Sequence, residues 1–328
     1  MASDSAKQTP SGMGPSGMGP GGIGPGGMAP EKMRQVMTER YEYKGTWFLK
    51  FIAPRTNLEA METFQVRDDD IFIITYPKCG THWTMEIVYL ILANGYPDKI
   101  DRNEKMKFGA LEMFIPTPNN PLPAYKFVET ITSRRVLPTH LPINVVPSAV
   151  LQGKGKVVYV TRNPKDGLTS MFSFMAKNAG MKDKWNEVFE QYISKDMLNG
   201  NFFDFSLAYW KHRHDDNFLF LKYEDMKRDP RSAVIMIADH IGCVLSDEAI
   251  DRVVANSSMD QMKKSYQKAD EQNVMPAFDG QGKENLGKFL RKGTVGDWKN
   301  HFTVAQNEKF DEYCREKMAG SGLTFQFE

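Results

Sequence analysis

The nine residues Thr75-Tyr76-Pro77-Lys78-Cys79-Gly80-Thr81-His82-Trp83 decide the fold class, because a short apolar run gives way there to a helical pattern. The run Ile71–Thr75 is largely β-branched and apolar, as in a buried strand of a parallel sheet. After Thr81, apolar residues recur at helical spacing, at Trp83, Ile87, Leu90 and Ile91. The sequence therefore predicts a strand, a tight loop and a helix in succession.

The predicted loop has the parts of an anion-binding site. The backbone amides of Gly80, Thr81 and His82 can point at an anion on the helix axis, where the helix dipole adds positive potential. Lys78 supplies a full charge, Gly80 lets the backbone approach closely, and Thr81 offers a hydroxyl. From this loop alone we expect a phosphate site, with an ordinary strand-to-helix turn as the alternative.

Two other classes of phosphate-handling protein fit the loop poorly. A nucleoside triphosphatase or metabolite kinase of the Walker type has its lysine directly after the second glycine, whereas Lys78 precedes Gly80. A cysteine phosphatase has an arginine six residues after its catalytic cysteine, and that position is Met85. A nucleophilic Cys79 stays open on helix-dipole grounds, although it has no partner in the sequence.

Two further strand-to-helix units follow. Residues 156–160 form an apolar run that leads through a loop into a helical stretch ending near Phe174. Residues 218–221 form another, followed by a helix that we predict to start at Asp229 and Pro230 and to stop at Gly242. The alternation predicts an α/β fold: a parallel sheet flanked by helices, with a P-loop-like strand-loop-helix and ligands at the carboxyl ends of the strands.

The chain of 328 residues divides into two parts by composition. Residues 10–30 are a degenerate repeat of Gly, Pro and Met that cannot form a packed core, and the glycine spacing is too irregular for a collagen helix. We predict that residues 1–39 are a disordered tail and linker, and that residues 40–328 form one globular domain.

Charge and cysteine content narrow the possible partners and location. A formal net charge of +1 gives no basic excess for binding nucleic acid, so basic residues are interpreted as parts of a local site. The three cysteines are far apart and form no C-x-x-C pair, which favours the reducing cytoplasm over a disulfide framework. No apolar run reaches the roughly 20 residues of a membrane span, so we expect no membrane association.

Five ordered segments resemble motifs of the cytosolic sulfotransferase family, which transfers a sulfuryl group from 3′-phosphoadenosine 5′-phosphosulfate (PAPS). The family's loop reads T-Y-P-K-S-G-T-x-W, close to residues 75–83 here. The other four segments are Thr139-His140-Leu141-Pro142, Arg162-Asn163-Pro164-Lys165-Asp166 with Ser170, Tyr223-Glu224-Asp225, and Arg291-Lys292-Gly293-Thr294-Val295-Gly296-Asp297-Trp298. The resemblance covers roughly residues 40–328 and implies a PAPS-dependent sulfotransferase that releases adenosine 3′,5′-bisphosphate (PAP).

The resemblance also implies a donor site with two anion-binding ends, since PAPS carries a 5′-phosphosulfate and a separate 3′-phosphate. The residues implied at the 5′ end are Lys78, Cys79, Gly80, Thr81, His82 and Trp83. Those implied at the 3′ end are Arg162, Ser170, Arg291, Lys292 and Gly293. Those implied around the adenine are Trp83, Tyr223, Met259 and Phe289, with Ser257 and Ser258 as hydrogen-bond donors.

His140 and Lys78 are the implied catalytic residues. An alcohol or phenol holds its proton with a pKa of about 10 or higher, so transfer requires a base, and His140 stands in a proline-bracketed loop where it can face a cleft. Lys78 would stabilise the leaving group without Mg²⁺. We expect no metal, because His212 and His214 are two apart on a predicted helix and point in different directions.

The chain departs from the family pattern at several positions. Pro138 replaces a lysine that many members carry two residues before the histidine, Cys79 replaces Ser, His82 replaces Thr or Asn, and Met259 replaces Phe. A PAPS-binding regulator with little catalytic activity is therefore the alternative function. Sulfuryl transfer to some acceptor would distinguish the enzyme from the regulator.

The sequence gives less direct information on the acceptor and on the oligomeric state. Segments 108–127 and 171–189 are rich in Phe, Met and Tyr, and suit a flat or bulky apolar hydroxyl compound, with Phe108, Phe114 and Phe172 as pocket residues. Phenol, sterol and aliphatic alcohol stay open as acceptor classes. A short segment matches the family's dimer motif and implies a homodimer through Lys299, Thr303, Val304 and Glu308.

Overall fold

The computed structural model describes residues 39–102, 109–114, 121–178, 181–194, 196–271 and 290–328. An antiparallel hairpin, β1 (Arg40–Tyr43) and β2 (Thr46–Leu49), precedes the sheet. The strands of the central sheet are β3 (Ile71–Thr75), β4 (Val136–Thr139), β5 (Lys156–Thr161) and β6 (Phe218–Lys222). The predicted tail, residues 1–39, lies outside the described residues except for its last position.

The helices alternate with these strands and cover both faces of the sheet. Their bounds are α1 (Arg55–Ala60), α2 (Thr81–Leu92), α3 (Ala124–Glu129), α4 (Ser148–Leu151), α5 (Pro164–Asn178), α6 (Trp185–Tyr192), α7 (Phe202–Trp210), α8 (Tyr223–Arg228), α9 (Pro230–His240), α10 (Asp247–Asn256), α11 (Met259–Glu271) and α12 (Val304–Met318). In the described residues, 3₁₀ turns occupy Pro97–Lys99 and Asp297–Asn300.

The central sheet is parallel in the order β4-β3-β5-β6, which confirms the predicted α/β class. All five residues of β3 are buried, because the strand lies inside the sheet with helices on both faces. The alternating side chains of β3 and β5 contribute to two hydrophobic clusters, one on each face. The carboxyl ends of all four strands therefore meet at one edge, where ligands bind in folds of this class.

Strand β4 was not predicted as a strand, because Pro138 stands within it. A proline removes a backbone donor and is tolerated at the edge of a sheet. Pro138 pairs with Ile73 on the inner side of β4, and its carbonyl accepts a hydrogen bond from the Leu111 amide at 2.8 Å. The segment around Leu111 thus covers the open edge of the sheet beside the residues that follow β4.

The predicted start and stop of α9 are confirmed. The Asp229 side chain accepts a hydrogen bond from the Ser232 amide at 3.0 Å, Pro230 is the first helical residue, and Gly242 has a φ of 72° just beyond the end. The placement of His212 and His214 on a helix was wrong. Helix α7 ends at Trp210, and both histidines lie in the turn that follows it, where His212 pairs with Asp215 at 2.7 Å.

Within the part of the chain that the structure describes, no helix has the length and apolar character needed to cross a membrane.

Candidate functional site

The loop between β3 and α2 has a constrained backbone that directs it toward the carboxyl edge of the sheet. Gly80 is the N-cap of α2 with a φ of 107°, and Lys78 adopts a φ of 71° that is uncommon for a residue with a side chain. A Cβ on Gly80 would lie 2.9 Å from Cδ2 of Tyr223. Any larger residue at Gly80 would therefore push into the aromatic wall that faces the loop.

Two hydroxyls join the last residue of β3 to the first residue of α2. The Oγ1 atoms of Thr75 and Thr81 are 2.6 Å apart, and both residues are buried. The first-turn amides of α2 therefore project from a rigid junction along the helix axis, which is the geometry of a helix-terminal anion site.

Arg162, directly after β5, links this loop to the C-terminal segment. Its guanidinium donates to the carbonyl of Lys78 at 3.3 Å and to the carbonyl of Thr294 at 3.2 Å, and it lies 4.5 Å from the ring centroid of Tyr223. The Nε atom of Arg162 is buried and has no hydrogen-bond partner among the described residues. A buried guanidinium with an unused donor fits an anionic ligand.

Two aspartates hold the C-terminal segment against Arg162 and α5. Asp166 accepts hydrogen bonds from the amides of Gly296 and Trp298, at 2.8 and 2.9 Å. Asp297 accepts from Arg291, from Lys292 at 2.7 Å and from Asn300 at 3.0 Å. Burial opposes ionisation of Asp297, but the hydrogen bonds from these three side chains outweigh it and hold its pKa well below the usual range.

The residues implied around the adenine form a contiguous wall as far as the structure describes them. The Trp83 and Tyr223 rings meet edge to face with centroids 5.2 Å apart, and Trp83 Nε1 donates to the Ser257 carbonyl at 3.0 Å. A Cβ on Gly293 would lie 2.3 Å from Cε of Met259 and 3.7 Å from the Tyr223 hydroxyl. A side chain at position 293 would therefore displace the end of Met259, and the φ of 67° at Gly293 favours glycine there as well.

The remaining residues implied in the donor site have different surroundings. Ser170 is buried on α5, whereas Ser258 is exposed immediately before α11. The side chain of Ser257 donates to the Val254 carbonyl at 3.3 Å, within its own turn. Phe289 lies outside the described residues.

His140 follows β4 directly, and its imidazole is fixed from one side. Nδ1 lies 2.8 Å from the backbone carbonyl of Thr75 and 3.4 Å from the hydroxyl of the same residue. A carbonyl oxygen can only accept a hydrogen bond, so Nδ1 carries the hydrogen in this contact. The lone pair is then on Nε2, at the opposite side of the ring, where it can take a proton.

His82 lies close enough to Lys78 and His140 for both to influence its ionisation. The Lys78 ammonium lies 4.5 Å from the ring centroid of Phe174 on α5, an aromatic residue that was not among the predicted site residues. Burial, with smaller effects of Lys78 and His140, lowers the pKa of His82 to about 3. His82 is therefore neutral near pH 7, and it contacts the Tyr266 ring with centroids 5.9 Å apart.

The open possibility of a nucleophilic Cys79 was wrong. The thiol is fully buried, and burial raises its pKa to about 12 despite the nearby cations. A thiol with this pKa stays protonated near neutral pH, so Cys79 contributes packing rather than a thiolate to the loop.

Glu224 is a buried carboxyl beside Arg162. Its Oε1 accepts from the Asn163 amide at 2.8 Å, while its Oε2 is buried without a hydrogen-bond partner among the described residues. Burial, only partly offset by hydrogen bonds and by Arg162, raises its pKa to about 7. Glu224 thus supports the loop that carries Arg162.

Of the three residues predicted for the acceptor pocket, Phe108 lies outside the described residues. Phe114 is partly buried, and its amide donates to the Ile52 carbonyl at 2.7 Å. Phe172 packs edge to face against Trp185, with ring centroids 5.1 Å apart. Among the described residues, no group of three or more His, Cys, Asp or Glu side chains could hold a metal ion.

Sequence reasoning missed the residues that orient the site, namely Thr75, Glu112, Asp166, Glu224 and Asp297. Asp166, Glu224 and Asp297 stand inside the quoted motifs, and their acidic character beside basic residues was an available signal. Glu112 stands outside every motif, and no local pattern marks it.

Known proteins resemble the chain over most of its length. The sulfotransferase domain family matches residues 68–322. The amine sulfotransferase of Oryctolagus cuniculus is 35% identical over 289 residues, covering 86% of this chain and 92% of the relative. Sulfotransferase 2B1 of Mus musculus is 37% identical over 285 residues, covering 86% and 81%.

Solved structures agree with these matches. The crystal structure of mouse sulfotransferase SULT7A1 complexed with PAP superposes with a TM-score of 0.71 at 30% identity, covering 86% of this chain and 96% of the other. Retinol dehydratase in complex with androsterone and the inactive cofactor PAP shares the fold, with a TM-score of 0.74 at 20% identity and coverage of 90% and 95%.

Proposed function

Since the chain belongs to the sulfotransferase family, we propose that it transfers a sulfuryl group from PAPS to a hydroxyl group of a small apolar acceptor. The observation that carries this proposal is the position of His140, whose Nε2 lone pair is presented at the edge of the sheet that also carries the Lys78 loop. The sulfotransferase domain would span residues 40–328.

The chain supplies two anion sites for such a donor. The first-turn amides of α2, with Lys78 and Thr81, would hold the 5′-phosphosulfate. Arg162, whose buried Nε lacks a partner in the described part of the chain, would hold the 3′-phosphate together with Ser170, Arg291, Lys292 and Gly293. The Trp83 and Tyr223 rings and Met259 would enclose the adenine.

His140 and Lys78 would share the chemical step. His140 Nε2 takes the proton of the acceptor hydroxyl as its oxygen attacks sulfur, while Nδ1 keeps its hydrogen bond to the Thr75 carbonyl and holds the ring in place. The Lys78 ammonium stabilises the negative charge that builds up on the leaving phosphate. Transfer is in line, as in loose phosphoryl transfer.

The acceptor would bind beside His140 among the apolar residues of the segments around Phe114 and Phe172. Incubation of the protein with PAPS and each of a panel of phenols, sterols, aliphatic alcohols and amines tests the function directly. Sulfated product and PAP are measured by mass spectrometry. We expect equimolar product and PAP from at least one hydroxyl acceptor. Tight binding of PAP with no product from any acceptor would instead establish the regulator described above.

A cytoplasmic location is proposed with this function. The three cysteines are all free thiols, as is usual in a reducing compartment, and fractionation of cells that express the protein would test it.

The proposed homodimer uses the start of α12. Val304 is 76% exposed, and Thr303 caps the helix through a reciprocal pair of hydrogen bonds with Gln306. Glu308 is exposed, whereas Lys299 pairs with Glu328 at 2.8 Å. An exposed apolar residue between charged ones suits a small two-fold contact.

We expect Val304→Glu to convert a dimer into a monomer, because two carboxylates would then face each other across the two-fold axis. Analytical ultracentrifugation measures the mass in solution. Val244→Glu is the matched control, since Val244 is also highly exposed but lies elsewhere on the surface. An unchanged sedimentation coefficient for Val304→Glu, or a monomeric parent protein, would contradict the proposed interface.

A further inference from the structure

Glu112 is a buried residue whose carboxylate binds the backbone amide of His140. The residue is 1% exposed. Oε1 accepts a hydrogen bond from the His140 amide at 3.0 Å, and Oε2 accepts one from the Thr139 hydroxyl at 2.7 Å. Both carboxylate oxygens are therefore bound to consecutive residues at the end of β4.

The Thr139 hydroxyl links Glu112 to one further residue, Leu141. Its oxygen accepts a hydrogen bond from the Leu141 amide at 3.1 Å, so its hydrogen is directed to Glu112. One carboxylate thus binds the Thr139 hydroxyl and the His140 amide directly, and it acts on the Leu141 amide through that hydroxyl.

Glu112 is itself held by two other elements of the fold. The Asn57 side chain at α1 donates to the Glu112 carbonyl at 3.1 Å, and Asn57 is buried. The preceding amide, of Leu111, donates to the carbonyl of Pro138 in β4 at 2.8 Å. The carboxylate is therefore a fixed point against which the residues after β4 are positioned.

Three of the described residues anchor His140, and Glu112 is one of them. The ring is bound to the Thr75 carbonyl through Nδ1, and the His140 carbonyl accepts from the Asn199 side chain at 3.3 Å. The amide is bound by Glu112. Because a displacement of about 1 Å in a reacting group can cost about 10²-fold in rate, loss of the amide anchor should affect catalysis.

We propose that Glu112 is a positioning residue for sulfuryl transfer, and that the reach of its side chain rather than its charge keeps His140 Nε2 in line with the acceptor proton. This inference rests on the proposed function. Both donors that Glu112 binds are uncharged, an amide and a hydroxyl. A glutamine keeps both contacts: its oxygen can accept from the His140 amide, and its nitrogen can donate to the second lone pair of the Thr139 oxygen, with the Thr139 hydroxyl hydrogen turned away from position 112.

A pair of conservative variants separates reach from charge. Glu112→Asp keeps the charge but shortens the side chain by one methylene, so it cannot hold both donors. Glu112→Gln keeps the length and removes the charge. We expect kcat to fall about 10- to 100-fold in Glu112→Asp and by less than about 5-fold in Glu112→Gln, with the Kd for PAP unchanged in both.

Steady-state kinetics with the best acceptor, calorimetric titration with PAP and thermal melting of each variant provide the readouts. A split between kcat and PAP affinity distinguishes positioning from a general loss of folding. Full activity in Glu112→Asp, or an equal loss of kcat in both variants, would overturn the inference.

Assays of the parent protein and of a His140→Ala variant distinguish failure of this inference from failure of the proposed function. A parent protein that sulfates no acceptor refutes the function. A His140→Ala variant that keeps its rate refutes the base. A parent that is active, a His140→Ala variant that is inactive and a Glu112→Asp variant at full rate refute the role of Glu112 alone.

Discussion

Replacing His140 with alanine should lower kcat by about 10²- to 10⁴-fold, the usual contribution of a positioned general base. The ring takes part in a hydrogen bond with the Thr75 carbonyl through Nδ1, which leaves only Nε2 to accept a proton. The donor residues around Arg162 and Trp83 do not depend on the imidazole. PAP should therefore bind His140→Ala with the affinity of the parent protein.

The measurement is a turnover assay at saturating PAPS, paired with calorimetric titration of PAP. His212→Ala serves as the matched control, because His212 lies in the turn after α7 and its partner is Asp215. Retention of most of the rate by His140→Ala would refute the base assignment, and the control should keep full activity.

Replacing Lys78 with methionine should slow the transfer step by about 10²- to 10³-fold, comparable to removal of one preorganised electrostatic contact to a developing charge. Methionine keeps an unbranched side chain that can still pack against Phe174, so the variant removes the charge and little volume. The loop geometry should persist, because it depends on Gly80 and on the Thr75–Thr81 contact.

Single-turnover rapid quench, started by mixing variant and PAPS with acceptor, isolates the transfer step from product release. Lys184→Met is the control, since Lys184 is exposed and pairs with Glu187, three residues away, at 2.5 Å. An unchanged single-turnover rate in Lys78→Met would remove Lys78 from the leaving-group step.

The sequence predicted the strands that carry the donor site but not the whole sheet. β3, β5 and β6 are continuous apolar runs, and their predicted bounds agree with the structure to within one residue. β4 has only two apolar residues before Pro138, and β1 alternates charged and aromatic residues over only four positions, too few to predict a strand. The pairing of β4 joins Val136 to Ile71 of β3, a residue that is distant in sequence.

The functional site also divides into residues that the sequence predicted and residues that it did not. The motifs named the residues around the donor, because each motif is local and carries its own loop or helix start. The contacts that orient the site are long-range. Asp166 accepts hydrogen bonds from the amides of Gly296 and Trp298, and Glu112 accepts one from the amide of His140. A carboxylate that contacts a neutral amide leaves no charge complementarity in the sequence, so Glu112 could only be found from the fold.

The bond between Asp166 and the Gly296 amide spans 130 positions of the chain, and Arg162 reaches Thr294 across a similar interval. On the ribosome, the first half of the donor site emerges well before the second half has been synthesised. A nascent chain that stops short of Trp298 contains all four strands of the central sheet but lacks the Trp298 amide that Asp166 binds. A nucleotide that binds the completed site would therefore stabilise the full-length chain over one that ends before Trp298.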